Sequence, residues 1–454
     1  MQEAHIQAVK TTDNMPGAGH TRQPSGIYGG YGRESSIQRL STPTAASNPR
    51  RLPRASKPPW SASSPQGINY TRAVQRSRSR LSMLAARAVS NAGAAPGESA
   101  QTPLKKGSGD YAMSFGIGTP ATGLSGEADT GSDLIWTKCG ACARCSPRGS
   151  PSYYPTSSSS AAFVAFGERT SGNCPDHCCS NVAGGGSGSG NCSYQYAYGN
   201  ARDTHHYTEG ILMTETLTFG EEAAAFPGIA FGCRGKLSLV TQLNVEAFGY
   251  RLSSDLSAPS PISFGSLADV TGGNGDSFMS TPLLTNPVVQ DLPFYYVGLT
   301  GISVGGKLVQ IPSGTFSFDR STGAGGVIFD SGTTLTMLPD PAYTLVRDEL
   351  LSQMGFQKPP PAANDDDLIC FTGGSSTTTF PSMVLHFDGG ADMDLSTENY
   401  LPQMQGQNGE TARCWSVVKS SQALTIIGNI MQMDFHVVFD LSGNARMLFQ
   451  PPTA

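Results

Sequence analysis

The sequence predicts a mostly β protein, and three observations lead there. Of 454 residues only 14% are charged, against roughly 25% in an ordinary globular chain. There are 54 Gly and 31 Pro, a load that long helices and coiled coils do not carry. After Lys106 the apolar residues come in short runs, among them Tyr111-Ala112-Met113-Ser114-Phe115 and Val437-Val438-Phe439, broken by Gly, Pro, Ser and Asn. Runs of that length between turn formers read as strands. Nothing approaches 18 consecutive apolar residues, so no membrane-spanning helix is expected.

Taken in order, residues 1–67 are Ser-, Pro-, Gly- and Arg-rich, with stretches such as Pro49-Arg50-Arg51-Leu52-Pro53-Arg54, and are expected to be a disordered leader. Residues 68–106 form a basic segment. Within it, from Tyr70 to Val89, the residues Val74, Leu81, Leu84 and Ala85 recur near helical spacing among Arg72, Arg76, Arg78, Arg80 and Arg87. That pattern predicts a basic amphipathic helix, the alternative being a solvated linker. Residues 90–106 are small and Pro-containing, suited to a boundary or cleavage site. Two strand-rich halves follow, 107–280 and 281–454. A later helix is expected from Pro341 to Met354, with Asp340 as cap, Pro341 in first position and Leu345, Val346, Leu350 and Met354 on one face. The tract from Gly184 to Gly190 reads as a flexible surface loop.

Charge divides the chain more sharply than its net of −5 suggests. The first 106 residues hold 15 Lys and Arg against 4 Asp and Glu, a net of +11, and the remainder is −16. Such an asymmetry fits a nucleic-acid arm, a membrane-attracted tail, a transit peptide or an internal partner for an acidic body.

One internal repeat carries chemistry. Asp129-Thr130-Gly131-Ser132-Asp133-Leu134 and Asp330-Ser331-Gly332-Thr333-Thr334-Leu335 both read Asp, hydroxyl, Gly, hydroxyl, any residue, Leu. Two matching loops a domain's length apart can bring two carboxylates together by symmetry. Like charges at that distance cannot both ionise freely, so such a pair shares a proton in mild acid. One member can then take a proton from water while the other polarises a carbonyl, without a metal or a covalent intermediate. Gly131 and Gly332 permit the tight turns, and Thr130, Ser132, Ser331 and Thr333 can orient the carboxylates.

With Gly116-Ile117-Gly118-Thr119-Pro120, Ala128 to Trp136, Phe329-Asp330-Ser331-Gly332-Thr333-Thr334 and Ile426-Ile427-Gly428-Asn429, the chain resembles the pepsin-like aspartic proteases, most closely the plant nepenthesin-type branch. The resemblance covers about residues 107–450. It implies a bilobal, mostly antiparallel β fold with a substrate cleft between lobes at 107–280 and 281–454. It makes Asp129 and Asp330 the catalytic dyad of an acid-acting endopeptidase, Tyr198 the flap residue and Trp136 its support. Segment 68–106 then resembles a propeptide. No cofactor or metal is implied; the expected partners are a protein or peptide substrate and the chain's own propeptide, with no nucleic acid or membrane, and the expected state is a monomer. The alternative is a catalytically impaired binding or inhibitor protein resembling the plant xylanase inhibitors, although both Asp are intact here.

The chain departs from the family pattern in three places. Its flap reads Tyr198-Gly199-Asn200-Ala201-Arg202 where the family usually has Tyr-Gly-Asp-Gly-Ser. Phe231-Gly232-Cys233 runs straight into Arg234-Gly235-Lys236, so the first-lobe counterpart of Ile426-Ile427-Gly428 is expected to be missing and the Asp129 loop poorly buttressed. Ten Cys stand where the nepenthesin type has twelve, Arg251 replacing one and the chain's last residues lacking the other. The resemblance implies five bridges: Cys139–Cys142, Cys145–Cys233, Cys370–Cys414 and two among Cys174, Cys178, Cys179 and Cys192.

Other readings compete at some of these residues. Cys139, Cys142 and Cys145 could ligate zinc or an iron–sulfur cluster with His205, His206, Cys178 or Cys179. Asp365-Asp366-Asp367 could bind calcium, though a solvated loop fits better, and Gly116-Ile117-Gly118 lacks the helix a nucleotide loop needs. The even Cys count and the sequons at Asn69 and Asn191, the latter the expected glycosylation site, point to the secretory route and an extracellular or vacuolar location. The acid-poor start also resembles a plastid transit peptide. The charge division is read as leader plus propeptide lying on an acidic catalytic body and released as carboxylates protonate.

Overall fold

The computed structural model describes residues 3–5, 70–84, 99–107, 109–137, 153–164, 180–181, 192–197, 207–219, 237–255, 257–258, 260–268, 278–288, 294–354, 369–372, 379–405 and 411–451. All of them belong to one unit that gathers Met1–Thr12 and Pro58–Ala454. The expected disorder of 1–67 needs one correction: β1 (Glu3–His5) pairs antiparallel with Thr216–Thr218. Helix α1 (Tyr70–Leu84) occupies the basic segment. Ala73, Val74, Ser77 and Leu81 recur on one stripe and are buried, while Gln75 is exposed. That is the division a 3.6-residue period imposes on an amphipathic helix.

The first half then alternates strand and turn through β2 (Ala100–Lys106), β3 (Tyr111–Ile117) and β4 (Thr122–Glu127). Residues in β2 alternate buried and exposed, as a strand with one covered face requires. Gly118 has φ +89°, a value that favours glycine, and it turns β3 into β4 rather than into a helix, so no nucleotide loop forms there. A hairpin of β5 (Cys192–Ala197) and β6 (Tyr207–Ile211) precedes β7 (Thr216–Phe219). After β8 (Ala247–Arg251) and β9 (Ser260–Phe264) come β10 (Met279–Leu284), β11 (Tyr296–Val297), β12 (Leu299–Val304), β13 (Val327–Phe329) and β14 (Thr336–Pro339).

Helix α2 (Ala342–Gln353) buries Val346 and Leu350, and Leu345 and Met354 pack beside them as the spacing predicts. Its start differs by a residue: Pro341 is the cap position. Asp340 accepts instead from the Thr344 hydroxyl at 2.7 Å and from Lys419 at 2.6 Å, because a long amine and a neighbouring hydroxyl compete for its carboxylate. The chain closes with β15 (Met383–Phe387), β16 (Ala391–Leu395), β17 (Val417–Ser420), β18 (Thr425–Ile427), β19 (His436–Asp440) and β20 (Arg446–Gln450).

One large sheet joins both halves in the order β1-β7-β3-β2-β9-β8-β19-β20-β10-β11-β13-β18-β14-β17, with β4 on the other side of β3. The first-half strands β2 and β9 are therefore joined through β8 to β19 and β20 from the end of the chain. Phe248 of β8 stacks on Phe439 of β19 at 4.9 Å, with Tyr295 against both. Aromatic contacts of this kind add to what burial alone contributes. Among the described residues no helix is long and apolar enough to cross a membrane.

Candidate active site

Two loops meet where β4 and β13 end. The residues after each strand, Ala128-Asp129-Thr130-Gly131 and Phe329-Asp330-Ser331-Gly332, approach one another so closely that their hydroxyls exchange hydrogen bonds. The Thr130 amide donates to Ser331 Oγ at 3.0 Å and the Ser331 amide to Thr130 Oγ1 at 2.9 Å. In turn Thr130 Oγ1 donates to the Phe329 carbonyl at 3.1 Å and Ser331 Oγ to the Ala128 carbonyl at 2.9 Å. Each of these two buried hydroxyls thus serves as both donor and acceptor.

The same symmetry holds the acids. Asp129 Oδ1 accepts from the Gly131 amide at 2.8 Å and Asp330 Oδ1 from the Gly332 amide at 2.9 Å. The other oxygens accept from Ser132 Oγ and, at 2.6 Å, from Thr333 Oγ1. Asp129 is 2% exposed and Asp330 fully buried. A Cβ added at Gly131 would stand 2.7 Å from the Asp330 carboxyl carbon, and one at Gly332 2.7 Å from Asp129 Oδ1. Only glycine lets the carboxylates come this near. All eight residues the repeat singled out, Asp129, Thr130, Gly131, Ser132, Asp330, Ser331, Gly332 and Thr333, are brought together.

Arg80 of α1 lies on the pair. Its Nε donates to Asp330 Oδ2 at 2.7 Å, and its Nη2 donates to Asp330 Oδ1 at 3.1 Å and to Asp129 Oδ1. Burial works against the guanidinium's charge, yet Asp129, Asp330 and Glu127 outweigh it and hold its pKa well above the ordinary value. Burial likewise lifts the Asp129 carboxyl above its usual range against the pull of Arg80, and Asp330 beside it adds to the rise. One turn earlier, Arg76 donates to Asp110 at 3.1 Å and lies 3.8 Å from Glu127. Glu127 is pushed up to about 7, first by burial and with Asp110 and Asp129 adding to the rise, although Arg76 and Arg80 oppose it.

The two loops are supported unequally. In the second half the Asp330 amide donates to the Ile427 carbonyl at 3.1 Å, and β18 runs parallel to β13. Gly428 crosses so close that a Cβ there would stand 2.5 Å from the Leu335 carbonyl carbon. This is the crossing expected of Ile426-Ile427-Gly428. Among the described residues β4 pairs with β3 alone, and residues 220–236, where a first-half counterpart was expected to be missing, lie outside them. Tyr198, Asn200, Arg202, His205, His206, Asn69, Asn191, Gly184 to Gly190, Asp365 to Asp367 and Cys139, Cys142, Cys145, Cys174, Cys178, Cys179 and Cys233 also lie outside, as does the side chain of Cys192. Trp136 is half-buried. Cys370 and Cys414 are bonded, at an S–S distance of 2.06 Å, across directly paired residues of neighbouring strands.

Two features were missed in the sequence. Glu127, two residues before Asp129, carries no motif of its own. Ser303, His386 and Asp392, on β12, β15 and β16, form a chain in which Ser303 Oγ lies 2.7 Å from His386 Nε2 and His386 Nδ1 2.7 Å from Asp392 Oδ1. Its connectivity is that of a hydrolytic triad, but Ser303 is 8% exposed within a strand, so the trio serves to fasten three strands. The members are too far apart in sequence to be seen before the strands are paired.

The chain matches the families described as Xylanase inhibitor N-terminal, over residues 111–235, and Xylanase inhibitor C-terminal, over residues 294–451. It is 35% identical to aspartic proteinase nepenthesin-1 of Nepenthes gracilis, the alignment covering 83% of this chain and 84% of the relative. It is 34% identical to aspartyl protease family protein 2 of Arabidopsis thaliana, over 77% of this chain and 72% of the relative. Among solved structures it is similar to edgp, with a TM-score of 0.59 and 19% identity over 80% of this chain and 96% of that one. It is also similar to conglutin gamma, a basic 7S globulin from lupine seeds, with a TM-score of 0.57 and 17% identity over 78% and 95%.

Proposed function

Because the chain belongs to the plant pepsin-like aspartic protease family, we propose that it is an acid-acting endopeptidase whose Asp129 and Asp330 activate water against a peptide bond. The observation that carries this reading is the symmetric pair of buried carboxylates, each held by an amide and a hydroxyl. In it one carboxylate takes a proton from water as the oxygen attacks the carbonyl carbon. The other, protonated, donates to the carbonyl oxygen, and the leaving nitrogen receives a proton as the tetrahedral intermediate collapses. Donors already aimed at both acids keep the reorganisation on the way to the transition state small. Tyr198 would close over the substrate, supported by Trp136.

In this reading α1 is a propeptide and the chain a zymogen. Arg80 sits where the water and the carbonyl must bind, so cleavage begins only when the helix leaves. Acid would weaken its hold as the surrounding carboxylates protonate, and a 68–98 peptide, which leaves β2 in the body, should therefore inhibit more strongly at neutral than at acidic pH. A secreted or vacuolar location follows from the oxidised Cys370–Cys414 pair and the two sequons.

Cleavage of a denatured protein at acidic pH, abolished by pepstatin, is the test. Asp129→Asn and Asp330→Asn should each remove the activity, and retained cleavage in either variant refutes the dyad. A second reading, a binding protein without activity, draws on the xylanase inhibitor families matched and on β4 having one paired neighbour among the described residues. Absence of cleavage by helix-free, disulfide-bonded protein would favour it.

A further inference from the structure

The helix that covers the dyad also fills a second position. Arg76 and Arg80 are four residues apart on α1, about 6 Å along its axis. Glu127 and Asp129 are two residues apart where β4 runs out, about 6.6 Å in an extended chain. The two spacings match, so the helix sets one guanidinium on the dyad and the next on an acidic pair one step away, Asp110 at 3.1 Å and Glu127 at 3.8 Å. Glu127 is 27% exposed and Asp110 30% even with the helix in place, so both remain within reach of solvent once it leaves. A strand residue advances about 3.3 Å, so a substrate side chain within two residues of the scissile bond falls at that distance from the dyad.

We propose that Asp110 and Glu127 form a specificity subsite of the cleft, which takes a guanidinium or ammonium side chain of the substrate, and that Arg76 occupies it in the intact chain as a substrate residue would. The inference rests on the endopeptidase reading above and deepens it. Two features separate it from a chance cluster of acids. A cation of the proposed chemistry is already seated there, and it belongs to the same helix whose next turn occupies the reaction centre. The groups that face Glu127 are Arg76 and Arg80 from α1, Asp110 from the turn before β3, and Asp129 beyond its own strand. With the helix gone, Asp110 and Asp129 remain beside it. A substrate cation then supplies the missing counter-charge, and more strongly as the acids ionise.

The test compares acid-activated protein on matched peptides with Arg or norleucine at each position within two residues of the cut. The ratio of kcat/KM values should favour Arg about five- to tenfold at pH 6, roughly the worth of one or two half-buried ion pairs. It should shrink toward pH 4, fall in part in Glu127→Gln, whose carboxyl is only partly ionised at pH 6, and fall close to one in the Glu127→Gln, Asp110→Asn double variant. A ratio near one at both pH values, or a preference that survives the double variant, overturns the subsite while leaving the dyad reading intact. Failure to cut any peptide bears on the dyad instead, and a second measurement then decides the subsite. In the intact chain, amide hydrogen exchange of α1 should quicken several-fold in Arg76→Gln and in Glu127→Gln, recover with Arg76→Lys, and quicken no further when the two Gln changes are combined. Additive effects would mean that Arg76 and Glu127 do not recognise each other, and the proposal falls.

Discussion

Gly332 and Ser331 show how much the site depends on single atoms. Gly332→Ala would press a methyl group against Asp129, and displacement of reacting groups by about 1 Å is enough for a hundredfold loss of rate. A fall of that order in kcat, with little change in melting temperature, is the expected outcome. Ser331→Ala removes a hydroxyl that accepts from the Thr130 amide and donates to the Ala128 carbonyl. Leaving those buried groups unsatisfied should cost about 1–3 kcal/mol, measured by urea unfolding. The repeat was legible in the sequence because each loop's chemistry is written in consecutive residues. Arg80 was not: the periodicity placed five arginines on or near one helix, and only the packing of Ala73, Val74, Ser77 and Leu81 decides which of them meets the acids. Glu127 was invisible for the same reason, as its importance comes from neighbours supplied by α1 and by the turn before β3.

At the scale of elements, α1 and β4 face each other across opposite charge, and their contact should have a pH signature. The Glu127 carboxyl stands at about 7 in the folded chain against an ordinary 4.5, so folding favours its protonated form. The corresponding stability is fully present below about pH 4.5 and is lost as pH rises through 7. Integrated over that interval it amounts to at most about 3 kcal/mol. Denaturation of the intact chain at pH 5 and pH 8 should show wild type losing stability between them and Glu127→Gln losing less; equal losses would remove Glu127 as the cause. Arg80→Gln should act in the opposite sense, leaving the buried acids without their cation and lowering stability at pH 7 by several kcal/mol, as broken buried pairs do. Strand and helix existence was legible here, since α1 and α2 follow from periodicity and capping residues. The one-residue shift at Asp340 was not, because its partner Lys419 comes from a strand 79 residues away.

For the whole molecule, composition foretold a β-rich chain, and the duplicated loop implied a two-fold arrangement. Neither could foretell that a single sheet would run through both halves, because that depends on β19 and β20 returning from the end of the chain to lie beside β8. The charge boundary at residue 106 tempts one to cut the protein there, yet β2 lies between β3 and β9, bonded to both. Without it, two strand edges would face each other across an empty slot within the large sheet, the kind of edge that recruits other chains. A chain begun at residue 107 is accordingly expected to aggregate where one begun at residue 99 stays monodisperse, as light scattering would report. The place where charge changes sign and the place where the architecture can be parted are different, and with the sheet whole Lys105 and Lys106 stay part of the acidic body.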